Sequence, residues 1–199
     1  VGAMGRHHTN DIYEIPNAEL AAVCDTRKER ANQVAKKFDV PAFYDHLSLL
    51  EEADLDAILI ATPHYDHPTI AKDAFERGIH VLTEKPIAVH VQAAKEMIAA
   101  YETALEKYPD LVFAAMFQQR TYGFWKKIKS LITEGELGRL VRTTWIITDW
   151  FRTQSYYDNG GWRATWEGEG GGVLLNQCPH NIDLLQWLVG MPNRVTGFA

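Results

Sequence analysis

An α/β fold built on a doubly wound parallel sheet, with a second unit of α+β type after it, is predicted by three features of the sequence. Short apolar runs recur through the first 120 residues, at 20–24, 57–61, 80–83 and 112–117, and each is continuous rather than alternating, as in strands covered on both faces. Amphipathic stretches of helical period separate them. After Arg120 the period changes to two, which belongs to a sheet packed on one face only.

Taken in order, the opening VGAMG reads as a turn into a helix N-terminus, and ELAAVCD holds the first apolar run. Residues 26–38 form a helix, DAILIATP carries the next strand, and residues 69–77 form a helix stopped by Gly78, placed where a left-handed conformation closes the last turn. The strand at 80–83 follows. Ala94, Met97, Ile98, Tyr101 and Leu105 then make an apolar helical stripe with Lys95, Glu96 and Glu102 opposite, and 112–117 ends the parallel set, joined by right-handed crossovers. Beyond Arg120, Trp125, Ile128 and Ile132 signal a helix ended near Gly135 and Gly138. LVRTTWIITDWF alternates Val141, Thr143, Trp145 and Ile147 against Leu140, Arg142, Ile146 and Trp150, and is read as a strand. Residues 152–172, rich in Gly, Trp and Tyr, form a loop with binding-type side chains. This divides the chain into a first domain over 1–120 and a second over 121–199.

Composition narrows the function. A hydrophobic fraction of 46% in 199 residues supports a packed core. Twenty basic against 26 acidic side chains, a net charge of -6 without long runs, argue against a nucleic-acid or anionic-membrane surface. No apolar stretch approaches the roughly 20 residues that cross a bilayer. Cys24 and Cys178 form no CxxC pair and sit beside apolar residues, so they read as buried thiols in a reducing, cytoplasmic compartment. Small-molecule chemistry is the default. The chain opens without Met and ends as an apolar segment begins, so it reads as part of a longer protein.

Gly2 and Gly5 match the end of a G-x-G-x-x-G turn, which would bring Gly2, Ala3, Met4 and Gly5 against a pyrophosphate at a helix N-terminus. Asp25, 20 residues after Gly5 and at the carboxyl end of ELAAVCD, is where a dinucleotide fold places the acid that accepts from the adenine ribose hydroxyls. It is equally an N-cap for the following helix. An acid here favours NAD, since a 2′-phosphate would be repelled, while Arg27 keeps NADP open.

His64, His67 and His80 do not make a metal site: the first two are three residues apart, the third is thirteen further on, and no Cys, Asp or Glu completes a set. Ligands of open α/β sheets bind outside the carboxyl ends of strands. Ala61, Thr62, Pro63 and His64 therefore border the cofactor, as does TEKP at the next strand end, with His67 either joining them or packing its helix. Lys85, between an apolar strand and a proline, has its reach set by stiff backbone, and near a nicotinamide it could hydrogen-bond a substrate hydroxyl, with Glu84 as electrostatic partner.

AVCD, DAILIATPHYDH, AFERGIHVLTEKPIA, EGELGRL and EGGGVLLNQCPHNIDLLQWLVG closely resemble the glucose-fructose oxidoreductase, inositol dehydrogenase and MocA family over essentially the whole chain. The resemblance implies a Rossmann domain, here without its first strand, and the start of a second domain built on a large open, mostly antiparallel sheet through which homo-oligomers form. It implies NAD or NADP as cofactor, a sugar, cyclitol or related polyol as substrate, a cis Lys85-Pro86 bond and a catalytic Lys85. Some relatives instead cleave glycosides by transient oxidation and elimination on bound NAD, and a few bind cofactor as non-catalytic regulators.

Asn176, His180 and Asp183 stand at i, i+4 and i+7, one face of a helix, with Leu184, Leu185 and Leu188 opposite; Pro179 restricts the regular helix to start near itself, which leaves Asn176 just before it. An imidazole titrates near neutrality, so His180 suits general-base work on an alcohol. Dehydrogenases of the family typically carry Asp where this chain has Asn176, which can orient a hydroxyl but cannot take its proton. Trp162 and Arg163, with Tyr156, Tyr157 and Trp166, offer ring faces and a guanidinium to a sugar, and Arg120 and Tyr122 are placed at the same substrate. Some of these aromatics are expected in a core or an oligomer interface.

Overall fold

The computed structural model describes residues 1–148, 151–158 and 161–198, in two compact units, Val1–Met116 and Phe117–Ala199. Each is taken by itself.

The first unit alternates helices and parallel strands: α1 (Ala3–Glu14), β1 (Val23–Cys24), α2 (Lys28–Phe38), β2 (Ala42–Phe43), α3 (His46–Glu52), β3 (Ala57–Ile60), α4 (His67–Phe75), β4 (His80–Thr83), α5 (Val91–Leu105) and β5 (Phe113–Ala115). β1 pairs with β2, and β3, β4 and β5 form a second sheet with β4 central, all parallel. Ile58 stands beside Val81 and Ile60 beside Thr83, so both strands end together.

Why these segments fold so is visible in the core. Phe75 of α4 is wholly buried, with Tyr101 of α5 at 5.4 Å and Phe113 of β5 at 5.2 Å between ring centroids. Ile58, Ile60, Val81 and Met97 join it, each apolar side chain contributing about 1.5–3 kcal/mol by burial. The apolar runs suggested strands covered equally on both faces, but Leu59 and Leu82 are half-buried and Ala57 is exposed, because the core lies on the Ile58, Ile60 and Val81 side. Cys24 and Cys178 are half-buried rather than enclosed, and burial pushes the Cys24 thiol up to about 11.

α4 ends as the sequence required. Gly78 has φ +73°, and a Cβ there would stand 2.7 Å from a ring carbon of Tyr108. Gly78→Ala is expected to cost about 2–4 kcal/mol, the sum of left-handed strain and overlap with the ring, read as a lower midpoint in urea at unchanged slope.

Two elements escape the apolar periodicity. α3 is about two turns long, held by Asp45, whose carboxylate accepts from the Ser48 backbone N–H at 2.9 Å and its hydroxyl at 2.8 Å. β2 is two residues long. α2 begins at Lys28 with Arg27 as its N-cap, so Asp25 is not the capping residue.

The second unit holds a 3-10 turn (Gln118–Thr121) and α6 (Gly123–Thr133), α7 (Gln154–Asp158), α8 (Val173–Asn176) and α9 (Pro179–Val189). No strand occurs among its described residues, so the strand expected over 140–151 is not formed at 140–148, and Trp150, the last residue of that alternation, lies outside the described residues. The reason is pairing: alternation selects a face but a strand needs a ladder partner, and the described segment has none. Trp145 instead stacks on Trp125 at 5.3 Å, while Val141 and Ile146 are exposed. Leu184 and Leu188 bury one side of α9, but Leu185, expected beside them, is 37% exposed.

Candidate functional site

In the first unit the carboxyl ends of β1, β3 and β4 and the start of α1 gather the residues assigned to a cofactor. α1 starts at Ala3 after Gly2, with no acidic side chain in its first turn. Its first backbone N–H groups have no partner within the helix and attract negative charge. Gly2 has φ −66°, a conformation open to any residue, and a Cβ on it would lie 3.6 Å from Arg30 Nη1; one on Gly5 would lie 3.7 Å from Val1 and 3.8 Å from Ala61. Neither glycine is demanded by the chain's own backbone or packing. Their missing side chains leave the helix start open to close approach, which fits a pyrophosphate. Ala3 and Met4 are exposed there, as are Thr62 and Pro63 beyond β3.

Asp25 follows β1 directly. One oxygen accepts from the Arg27 backbone N–H at 2.9 Å, the other from Arg30 Nη1 and the Val1 nitrogen at 3.1 Å each. Burial pushes this carboxyl up, while the Arg27 backbone N–H and the Arg30 guanidinium pull it down, and it lies below the usual carboxylate range. It stays an acceptor at neutral pH, as ribose hydroxyls require. Arg27 lends its backbone here, and its side chain is exposed.

The Glu84-Lys85-Pro86 turn leaves β4 with a cis Lys85-Pro86 bond. Glu84 donates its backbone N–H to the Ile60 carbonyl at 2.8 Å, and its side chain turns inward, 9% exposed. One oxygen accepts from the Lys85 backbone N–H at 3.1 Å, the other meets His8 Nε2 at 2.7 Å. Because an ionised carboxylate only accepts, Nε2 of His8 carries the proton. Burial raises the Glu84 carboxyl, yet the His8 hydrogen bond and the Lys85 N–H outweigh it and leave it lowered. A lowered folded value adds stability that is complete above pH 4.5, a glutamate's ordinary value, and is lost as pH falls through the folded value. Glu84→Gln should therefore flatten the drop of Tm below that pH relative to the parent chain, as measured by thermal melts in acid buffers.

The histidines separate. His80 opens β4, and its Nδ1 accepts from the Val112 N–H at 3.0 Å. His64 is buried, edge-on to His67 at 6.0 Å. His67, one option for the cofactor edge, is 0% exposed, and its ring nitrogens face the Pro86 carbonyl at 2.8 Å and the Thr62 carbonyl at 3.0 Å. It is an internal tie between two loops, not part of their open edge.

In the second unit, Arg120 is not set toward a substrate. Its Nε and Nη2 hold both oxygens of Asp183 at 2.8 and 2.5 Å, a bidentate pair that fastens the 3-10 turn to α9, with Trp187 below the guanidinium at 5.7 Å. The planar fork that would take a substrate carboxylate is occupied. Tyr122 precedes α6 and leans on Phe124 at 5.8 Å. Pro179 opens α9 and puts His180 in its first turn, edge-on to Phe117 at 5.9 Å, while Asn176 ends α8, so the two belong to different helices. Arg163 lies over the rings of Tyr156 at 4.4 Å and Trp162 at 4.7 Å, bonds the Tyr156 hydroxyl, and stands 3.9 Å from Glu169.

Two residues went unremarked in the sequence. His8, one turn after Gly5, buries its ring under the Lys85 turn. Glu169 is a 3% exposed carboxylate that accepts from the Asn176 side-chain amide, which leaves the Asn176 carbonyl as the oxygen presented elsewhere. A G-x-x-H spacing and an acid before the Gly-Gly-Gly run were the only signals for them.

Comparison with known proteins accords with this geometry. Residues 1–108 match the family described as oxidoreductase family, NAD-binding Rossmann fold, and residues 125–199 match the GFO/IDH/MocA C-terminal domain. The chain is 32% identical over 193 residues to an uncharacterized oxidoreductase of Synechocystis, covering 96% of this chain and 47% of that one. It is 27% identical to the scyllo-inositol 2-dehydrogenase (NAD(+)) of Bacillus subtilis, covering 96% of this chain and 52% of that one. Among solved structures, the WlbA dehydrogenase of Bordetella pertussis, in complex with NADH and UDP-GlcNAcA, superposes with a TM-score of 0.83 at 31% identity over 95% of this chain and 56% of that one. The chain thus spans about half the length of the relatives it matches.

Proposed function

From the membership of this chain in the GFO/IDH/MocA oxidoreductase family, we propose that the full-length protein is an NAD-dependent oxidoreductase acting on a secondary hydroxyl of a sugar, cyclitol or related polyol. The observation that carries the reading is one folded unit holding three parts of the site: the open glycine start of α1, Asp25 kept ionised at the end of β1, and Lys85 on a buried-anchored turn at the end of β4.

Gly2 to Gly5 hold the pyrophosphate, Asp25 the adenine ribose, and Ala61 to His64 with Glu84 border the rest of the dinucleotide. Bound NAD supplies a hydride acceptor. In the first unit Lys85 donates a hydrogen bond to a substrate hydroxyl, and in the second His180 is the group suited to take a hydroxyl proton; oxidation removes one C–H hydride and one O–H proton and leaves a carbonyl. Asn176 orients a hydroxyl through its carbonyl, and Trp162 and Arg163 face the ring. In the whole protein, the second domain builds a large open, mostly antiparallel sheet through which copies associate.

The test is direct. The full-length protein is incubated with NAD or NADP and a panel of inositols, hexoses and nucleotide sugars, and absorbance at the nicotinamide band is followed. NADH formation with at least one polyol, and an NAD preference of about tenfold or more, is expected. Cofactor binding with no turnover on any member of the panel overturns the catalytic reading.

A further inference from the structure

Lys85 is half-buried, and what fixes its place is a pair of histidines that no metal, substrate or cofactor role accounts for. His8 comes from α1 and His67 from α4; they are 8% and 0% exposed. His8 Nε2 donates to Glu84, which also takes the Lys85 backbone N–H, and His67 Nδ1 faces the Pro86 carbonyl at 2.8 Å. The residues on either side of Lys85 are thus tied to two different helices. The far sides of the ties matter as much. α1 is the helix whose first turn is the glycine start, and His8 lies one turn from Gly5. His67 Nε2 faces the Thr62 carbonyl at 3.0 Å, in the loop that borders the same edge.

We propose that His8 and His67 are positioning residues, which hold the Lys85 turn at a set distance from the α1 start and the Thr62-Pro63 loop so that one rigid frame places both the dinucleotide and the Lys85 ammonium. The inference rests on the role given to Lys85 above. Rings suit the task, because a buried imidazole is a stiff plane with two nitrogens: in neutral His67 one of them donates to a backbone carbonyl while the other lies against the second. Neither ring touches the reacting atoms. A displacement of about 1 Å in a reacting group costs on the order of 100-fold in rate, so the effect is on turnover more than on affinity.

The experiment uses the full-length protein and four variants, His8→Ala, His67→Ala, and the glutamines His8→Gln and His67→Gln, which keep a donor of similar reach. Three readouts are compared: kcat against KM for NAD on the best polyol of the panel, the acetylation rate of Lys85 relative to the other lysines by mass spectrometry, and cooperative melting with NADH present. The alanine variants are expected to lose about 10- to 100-fold in kcat with KM for NAD changed by less than about threefold. The relative acetylation of Lys85 alone should shift, and the glutamines should regain part of both. Unchanged kcat and unchanged Lys85 reactivity in folded variants overturn the proposal. So does loss of cooperative melting in the glutamine variants, because the histidines would then hold the domain together rather than place Lys85. Should Lys85→Ala itself turn over normally, the functional reading fails instead, and Lys85 acetylation still decides whether the two rings position the turn.

Discussion

Replacing Lys85 with alanine in the full-length protein is expected to lower kcat by about 100- to 10,000-fold, the range for removal of a proton-handling side chain, while NAD still binds. The separation of the two effects follows from the geometry. Glu84 keeps its bonds to Ile60 and His8, and the Lys85 backbone N–H remains in place, so truncation leaves the turn and the open glycine start of α1 intact. What is lost is the ammonium and its stem. Stopped-flow binding of NADH with the variant should match the parent chain, and steady-state turnover should not. Lys85→Arg is expected to recover little, because a guanidinium is a wide planar fork on a longer stem and the turn sets the origin of that stem tightly. A variant with normal turnover would remove Lys85 from the chemistry.

How much of this could be read in advance depends on what each feature needs. β3 and β4 were legible because buried parallel strands write themselves as short unbroken apolar runs, and α5 because its stripe from Ala94 to Leu105 repeats the helical period about three times. α1 was legible only as a start. It is polar on most sides, with Arg6, His7, Asn10 and Asp11 along it, and its buried residues are Gly5, His8 and Thr9, none of which an apolar count registers. The strand at 140–148 shows the reverse failure: the alternation is present in the sequence, but pairing is a property of two segments and cannot be inferred from one.

The candidate site divides along the same line. The positions of Asp25 and Lys85 are legible because both directly follow strands, which local pattern locates. Arg120 was misplaced because its partner, Asp183, lies 63 residues away, and only folding brings a carboxylate into its fork. His8 meets Glu84 across 76 residues, and His67 reaches Pro86 across 19. Contacts between residues far apart in the chain carry little local signature, so a reading of strand ends locates the residues beside those ends and misses their buried partners.

Removal of the His180 ring is the second large effect, a fall in kcat of about 100-fold or more for His180→Ala. Among the three polar residues that share this segment it alone can take a proton. Asn176 is an amide, and Asp183 has both oxygens on Arg120, so protonating it would break a bidentate pair. Neither of the other two replaces the imidazole. The obvious rescue is to supply an acid nearby, by Asn176→Asp, and the structure argues against it. The Asn176 amide donates to Glu169, which is 3% exposed, so a carboxylate at 176 would set two buried acids against each other and discard the donor. Asn176→Asp alone should lower Tm and leave turnover no higher. Joined with Glu169→Gln, which turns the acceptor into a group able to donate, it should regain the lost stability, because the carboxylate has then moved from 169 to 176 with the pair still bonded. Tm and kcat for the single and double variants form a cycle whose coupling measures that exchange; additive effects would mean that Glu169 and Asn176 do not act as a pair.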